Sequence, residues 1–268
     1  MDAEQAMAIF DEAEALFDND EFQLARTRYF AFLDVFDAGG RGESTIVLAR
    51  AWRSAGACSF NLDEYAGARL QILRSRELYQ LAGDSKGVAS CDDRLSMVDG
   101  RLGNHESSLD FALAAVRTYV DLGDRAGIAE AGFDAGVALL RLGREREAAN
   151  QFLAAFFQYQ ALDKASGMIR AARAHGDALM GLGDFEVAAG RYTEGLRVAT
   201  ETEDRRNIRV LAKSLGLSLF SLKRYDQALP YYRIAFDEAS RGSDGAVIDA
   251  ARFDLAHTLQ ALGLPAED

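Results

Sequence analysis

Histidine and cysteine, the side chains most often used for metal binding and catalysis, are rare in this chain of 268 residues. His105, His175 and His257 stand far apart, and none has a second histidine or a cysteine at metal-ligand spacing. Cys58 and Cys91 fall at different heights on two helices predicted to be parallel neighbours, roughly 10 Å apart along the axis. A disulfide spans at most ~7 Å between Cα atoms. We therefore predict two buried free thiols, no metal site and no cofactor.

The sequence also lacks the loops that bind phosphate or present a nucleophile. Gly181-x-Gly183 has no third glycine and lies between two predicted helices rather than after a strand. There is no Gly-Lys-Ser/Thr and no Gly-x-Ser-x-Gly. We predict no catalytic residues and a protein that is not an enzyme.

Two pairs of arginines have the spacing that best fits a binding role. Arg50 with Arg53, and Arg170 with Arg173, are each three residues apart and would share one face of a helix. Guanidinium groups bind carboxylates through two parallel hydrogen bonds. The pairs are therefore candidates for binding an acidic ligand. The alternative is internal pairing with acidic side chains on the same or adjacent helices: Glu130, Asp134 and Asp177.

The charge of the chain argues against nucleic-acid partners. The formal net charge is −12, and residues 1–40 alone carry ten acidic side chains against Arg26 and Arg28. Such a charge repels phosphate backbones. The acidic first segment is either a docking face for a basic partner or a solvated surface. With no basic leader and no long apolar stretch, we expect a cytoplasmic protein without membrane contact.

A spacing of 40 residues indicates the elements that carry these side chains. A Leu-Gly-type turn recurs at Leu62-Asp63, Leu102-Gly103, Leu142-Gly143, Leu182-Gly183, Leu222-Lys223 and Leu262-Gly263. A second, mostly acidic turn keeps the same spacing, at Asp84, Asp124, Lys164, Asp204 and Asp244. Each unit therefore contains two helices, an A helix before the Leu-Gly turn and a B helix after it.

Small residues recur inside these helices. Each A helix carries a small residue seven positions before the second residue of its Leu-Gly-type turn. These residues are Gly56, Ser96, Gly136, Gly176, Gly216 and Ala256. The B helices carry Ala68, Ser108, Ala148, Ala188 and Ala228, followed four residues later by Ile72, Ala112, Phe152, Tyr192 and Tyr232. A glycine inside a helix costs about 1 kcal/mol relative to alanine. Its repetition indicates that helices approach closely at these positions.

The repeated pattern resembles the tetratricopeptide repeat (TPR) family. The TPR motif is Trp-x2-Leu-Gly-x2-Tyr followed by Ala-x3-Phe, and one unit matches it with Ala212, Leu215, Gly216, Leu219, Ala228 and Tyr232. The units are 40 residues long and lack the final proline of the motif. In this they resemble the longer repeats of bacterial transcriptional activators, peptide-sensing regulators and kinesin light chain. The resemblance implies an all-α, right-handed α-solenoid of about six helical hairpins with a C-terminal capping helix.

The repeat divides the whole chain, 1–268, into one predicted solenoid. Its units are approximately 3–40, 44–83, 84–123, 124–163, 164–203 and 204–243, and the capping helix is 245–262.

TPR proteins bind ligands on the concave face, which the A helices line, and this implies a set of site residues here. They are Arg50, Arg53, Phe60, Phe133, Val137, Leu140, Arg170, Arg173, Asp177, Lys213, Leu217 and Phe220. With A helices about 10 Å apart, the two arginine pairs would stand roughly 30 Å apart, the length of about nine extended residues. A peptide with acidic and apolar residues is the expected ligand.

Three functions fit this reading. The first is a protein-binding or peptide-binding scaffold or adaptor that uses the concave face. The second is a regulatory module that senses a peptide or effector and acts on a partner protein. The third is a structural protein that associates with itself. The oligomeric state is left open.

Overall fold

The computed structural model describes residues 3–36 and 43–265, and these form thirteen α-helices and no strand. The helices are α1 (Ala3–Asp18), α2 (Phe22–Val35), α3 (Glu43–Asn61), α4 (Tyr65–Ala82), α5 (Ser85–Leu102), α6 (His105–Leu122), α7 (Arg125–Arg141), α8 (Glu145–Ala161), α9 (Ala165–Gly181), α10 (Phe185–Glu201), α11 (Arg205–Ser221), α12 (Tyr225–Ser240) and α13 (Gly245–Ala261). The all-α prediction is confirmed. Odd-numbered helices are the A helices and even-numbered helices the B helices.

Left-handed residues end the helices where the repeat predicts turns. Gly103 after α5 has a φ of 80° and Gly183 after α9 a φ of 79°. Lys223 takes the same conformation after α11, with a φ of 61°, although a side chain disfavours it. The Arg224 amide then donates to the Leu219 carbonyl at 2.9 Å, which satisfies an orphan carbonyl of α11.

Aspartates of the second turn cap the A helices. The Asp84 carboxylate accepts from the Gly87 amide at 2.9 Å, and Asp124 accepts from Gly127 at 3.0 Å. These bonds satisfy amides that the first helical turn leaves unpaired. Lys164 stands at the same position before α9 and makes no side-chain cap.

The helices divide into two compact units, Met1–Leu142 and Gly143–Asp268. The prediction of a single solenoid over the whole chain stays a prediction. Its first unit was placed at 3–40, of which residues 37–40 lie outside the described residues.

In the first unit, aromatic rings of B helices pack on glycines of the next A helix. A Cβ placed on Gly87 would lie 2.2 Å from the Tyr79 ring, and one on Gly127 would lie 2.4 Å from the Tyr119 ring. Real side chains do not approach so closely, so only glycine fits at these two positions. Each tyrosine is buried and joins a B helix to the A helix that follows.

The second unit also has a tyrosine of a B helix packed on a glycine of the next A helix. In addition, a small residue of an A helix contacts an aromatic ring of the B helix that follows it, as the repeated small residues predict. A Cβ on Gly167 would lie 2.3 Å from the Tyr159 ring, and one on Gly176 would lie 2.4 Å from Tyr192. Gly216 faces Tyr232 more loosely, at 3.1 Å. The predicted close approach of the A and B helices is therefore present within this unit.

Both cysteines are buried and free, as expected. Burial raises the pKa of the Cys58 thiol to about 12 and that of Cys91 to about 11, so both are protonated at neutral pH. Neither thiol has the thiolate character that redox or nucleophilic chemistry needs.

Candidate functional site

The candidate site is the row of exposed and half-buried side chains that the sequence predicts on the A helices, called here the A-helix face. In the first unit this face contains Arg50, Arg53 and Phe60 of α3, Met97 of α5, and Phe133, Val137 and Leu140 of α7. Each of these side chains is exposed or half-buried. Ala57, which shares the row, is buried. In the second unit the face contains Arg170, Arg173 and Asp177 of α9, and Lys213, Leu217 and Phe220 of α11.

Among the residues that the structure describes, the arginines of α3 have only neutral partners. The Arg50 guanidinium lies 5.2 Å from the centre of the Phe10 ring. Arg53 donates to the Ser90 hydroxyl at 3.1 Å and lies 5.9 Å from the centre of the Tyr79 ring. Aromatic faces attract cations without neutralising them. The positive charge of this pair is therefore not compensated by a carboxylate.

The buried arginine contacts of the same unit are different. Arg69 donates to the Asp99 carboxylate at 2.7 Å, and Arg76 pairs with Asp92, whose side chain is 2% exposed. These pairs join α4 to α5 and belong to the packing of the repeat. Burial raises the pKa of Asp92, while the adjacent Arg76 opposes that shift.

In the second unit, the polar side chains of α9 bind tyrosines of the neighbouring B helices. Arg170 donates to the Tyr159 hydroxyl at 2.5 Å, and its guanidinium lies 5.6 Å from the centre of the same ring. Asp177 accepts from the Tyr192 hydroxyl at 2.6 Å. Burial, followed by this hydrogen bond, raises the pKa of Tyr192 above its ordinary value. Asp177 therefore anchors a core tyrosine.

The α11 part of the face is continued by α13. Lys213 forms an ion pair with Asp254 at 2.9 Å. The Phe220 ring centre is 5.1 Å from that of His257, and Leu217 is 46% exposed. This end of the face offers an apolar surface with one compensated charge.

His175 is the one histidine that the fold buries among the described residues. It occupies the core position that Leu95, Leu215 and Leu255 take in other repeats, and its Nδ1 atom has no hydrogen-bond partner. Burial, with the nearby positive charge of Arg191 adding to it, lowers its pKa to about 4. His175 is therefore neutral at pH 7 and acts as a core side chain.

The described residues hold no group of three or more His, Cys, Asp and Glu side chains that could bind a metal ion. Within the same ranges, no helix is long and apolar enough to cross a membrane.

Sequence reasoning missed a pocket on the A-helix face of the first unit. Phe60 and Val137, both predicted site residues, line it together with Arg101 and Arg141. The signal was present in the sequence, because Arg-Leu-Gly occurs twice, at 101–103 and 141–143, 40 residues apart. The Leu-Gly part of this motif marks the turns, and the arginine before it places a cation at the pocket.

Comparisons with solved structures give the fold a name. Apo RapI is 10% identical, with a TM-score of 0.72 over 97% of this chain and 99% of its own. A STAND protein with a tetratricopeptide repeat sensor, PH0952 from Pyrococcus horikoshii, is 13% identical, with a TM-score of 0.83 over 97% of this chain and 39% of its own.

The fold is that of a TPR-like repeat protein.

A third TPR-like neighbour was solved with a ligand. NprR in complex with its cognate peptide NprX is 12% identical, with a TM-score of 0.57 over all of this chain and 76% of its own. No protein-family model matches the sequence. No curated protein matches it either. The likeness is therefore one of fold, and the resemblance drawn from the 40-residue spacing is confirmed at that level.

Proposed function

We propose that this TPR-like chain is a non-enzymatic, cytoplasmic binding protein that holds an acidic peptide segment of a partner on its A-helix face. The single observation that carries the proposal is the environment of Arg50 and Arg53. Arg50 is exposed and Arg53 half-buried, and within residues 3–36 and 43–265 their partners are aromatic rings and a hydroxyl, with no carboxylate among them. A ligand carboxylate would supply the missing negative charge.

Apolar side chains on the A-helix face would supply most of the binding free energy. Val137 is 39% exposed and Leu217 is 46% exposed, each on an A helix. Burial of apolar surface contributes roughly 25 cal/mol per Å². Because the helices are ordered before binding, only the peptide loses conformational freedom.

The complex of NprR with NprX supports a peptide as the ligand, since a protein of this fold binds one. Scaffold, adaptor and peptide-sensing regulator all begin with the same binding event, and the proposal concerns that event.

Selection from a random dodecapeptide library displayed on phage tests the proposal. We expect enriched peptides to carry Asp or Glu beside large apolar residues. Arg50→Glu with Arg53→Glu should weaken a selected peptide at least tenfold in fluorescence anisotropy, because a charge-assisted hydrogen bond contributes about 1.5–3 kcal/mol.

The matched control reverses two exposed arginines on B helices, Arg117→Glu with Arg146→Glu, which gives the same change in net charge. Binding should stay within about twofold in this variant, since only long-range attraction changes. Equal loss in the control, or no loss in the A-helix variant, would contradict the proposal.

A further inference from the structure

A pocket of about 390 Å³ opens on the A-helix face of the first unit. It lies between the C-terminal halves of α5 and α7, beside the end of α3 and the start of α6. Phe60, Met97 and Val137 give it apolar walls, and Arg101, His105 and Arg141 give it polar ones. Small-ligand pockets span roughly 300–1,000 Å³. This one therefore has room for one or two amino-acid side chains and not for a folded domain.

The charges around the pocket are unbalanced. Within the described residues neither Arg101 nor Arg141 makes an ion pair; Arg101 lies 5.8 Å from the centre of the Phe60 ring. Both arginines are exposed. One carboxylate, that of Asp134, also lines the pocket. Two guanidinium groups against one carboxylate leave a net positive charge beside the apolar walls, and the buried Ser96 and Ser108 lie deeper in the pocket.

Helix dipoles do not account for this pair of arginines. A cation near a helix C-terminus stabilises the helix by about 0.3–1 kcal/mol, and Arg101 and Arg141 are each in the last turn of their helix. The equivalent residues of α9 and α11 are Gly181 and Ser221, so the repeat folds without a cation at this position. Arginine occurs at both positions that line the pocket.

The apolar walls of the pocket fit an apolar group. Met97 is 42% exposed and Val137 is 39% exposed, although both belong to helices packed in the repeat. A ligand that covered them would bury apolar surface that the fold leaves in water, and a thioether adapts its shape to different partners.

We propose that this pocket binds a carboxylate attached to a large apolar group. The guanidinium groups of Arg101 and Arg141 hold the carboxylate by charge-assisted hydrogen bonds, and the apolar group packs on Phe60, Met97 and Val137. This inference rests on the proposed function, because Phe60 and Val137 belong to both sites, and it identifies the part of the ligand that the first unit recognises. The carboxylate comes either from a peptide C-terminus or from a Glu side chain next to an apolar residue.

Methyl NMR of the full chain labelled with ¹³C-methyl methionine tests the pocket. The probes are N-acetyl-leucine, N-acetyl-leucinamide, and a doubly blocked Leu-Glu dipeptide. We expect N-acetyl-leucine to shift the Met97 methyl signal saturably and N-acetyl-leucinamide to shift it at least tenfold less. A response to the blocked Leu-Glu probe alone assigns the carboxylate to a side chain, and a response to N-acetyl-leucine alone assigns it to a C-terminus.

Arg101→Ala and Arg141→Ala should each weaken the effective probe about tenfold, the effect of losing one charge-assisted hydrogen bond. Arg125→Ala, an exposed arginine at the other end of α7, is the matched control and should leave binding unchanged. Melting curves should be alike for all three variants because these side chains are exposed.

Three results would overturn the inference: an N-acetyl-leucinamide shift as large as that of the effective carboxylate probe, unchanged binding in both pocket variants, or no Met97 response to any probe. The two proposals fail separately. If no probe shifts the Met97 methyl signal while the affinity of a selected peptide still depends on Arg50 and Arg53, only the pocket proposal is contradicted. A Met97 response with peptide binding that ignores those arginines removes only the proposed function.

Discussion

His175 shows how one residue departs from the rules of its repeat. Other A helices place Leu95, Leu215 or Leu255 at this core position, and the imidazole is 6% exposed with an unpartnered Nδ1 atom. An unpaired buried polar atom destabilises the folded state, in contrast to a leucine of similar volume. The residue therefore makes stability depend on pH.

The direction follows from the pKa of His175, which burial lowers from 6.5 to about 4. The unfolded chain takes up a proton on this group as pH falls below 6.5, whereas the folded chain resists until about pH 4. Stability is thus fully present above pH 6.5 and is lost between pH 6.5 and pH 4. We expect urea denaturation to show a loss of roughly 1–2 kcal/mol from this residue between about pH 7.5 and pH 5.

His175→Leu should remove that part of the pH dependence and raise stability at pH 5, because leucine is the side chain that α5, α11 and α13 carry at this position. Carboxylates titrate in both proteins, so the difference between the two curves isolates the histidine. Parallel curves for wild type and variant over this range would show that His175 does not carry the effect.

At the scale of elements, a tyrosine near the end of a B helix occurs together with a glycine near the start of the next A helix, and both are absent together. Tyr79, Tyr119 and Tyr159 precede Gly87, Gly127 and Gly167 by eight residues. At the next two equivalent positions the chain has Ala199 with Asn207 and Ala239 with Val247. At these five pairs of positions, the A helix carries a residue larger than glycine only where the preceding B helix has alanine in place of tyrosine.

This correlation predicts that the effect of Gly127→Ala on the free energy of unfolding changes sign when Tyr119 is also replaced. Gly127→Ala should destabilise the protein by about 1–2 kcal/mol, because overpacking costs about 1–3 kcal/mol and exceeds the gain in helix propensity of up to about 1 kcal/mol. In a Tyr119→Ala background the same substitution should be neutral or stabilising. Chemical denaturation of the four proteins measures the coupling.

Gly190→Ala is the control for helix propensity, since a Cβ at that position of α10 has no neighbour within 4 Å. It should stabilise the chain by up to about 1 kcal/mol. If Gly127→Ala were equally stabilising in the presence of Tyr119, the ring contact would not be what excludes a side chain.

The 40-residue spacing predicted the helices well because it reflects local signals. Turn residues and apolar periodicity repeat in every unit, and the capping helix expected at 245–262 is α13, Gly245–Ala261. The contact of Tyr119 with Gly127 was not predicted, although both residues repeat. A period shows that two positions are equivalent between units and does not show which positions touch.

The candidate site was predicted less completely than the fold. Helical spacing places Arg50 and Arg53 on one face, but only the structure shows that rings and a hydroxyl, rather than carboxylates, surround them. Arg101 and Arg141 were overlooked because each stands next to a turn. Their importance comes from lining the same pocket, and that depends on how α5 and α7 pack.

At the scale of the whole molecule, we propose that the A helices, and not the B helices, bind the ligand. The chain carries a net charge of −12, yet Arg50 and Arg53 of α3 have no acidic partner among the described residues, and A helices also expose apolar side chains such as Val137. The B helices also expose apolar side chains, with Leu70 at 70% and Val187 at 50%. Exposure alone therefore does not choose between the two sides, and the arrangement of charge favours the A helices.

Site-specific photo-crosslinking of a library-selected peptide tests this claim most directly. Benzoylphenylalanine replaces Val137 or Leu217 on A helices, and Leu70 or Val187 on B helices, in four separate proteins of confirmed helicity. The account predicts peptide adducts, identified by mass spectrometry, from Val137 or Leu217 and none from Leu70 or Val187, and the loss of these adducts with excess unlabelled peptide. Adducts formed from Leu70 or Val187, with none from the A helices, would contradict it.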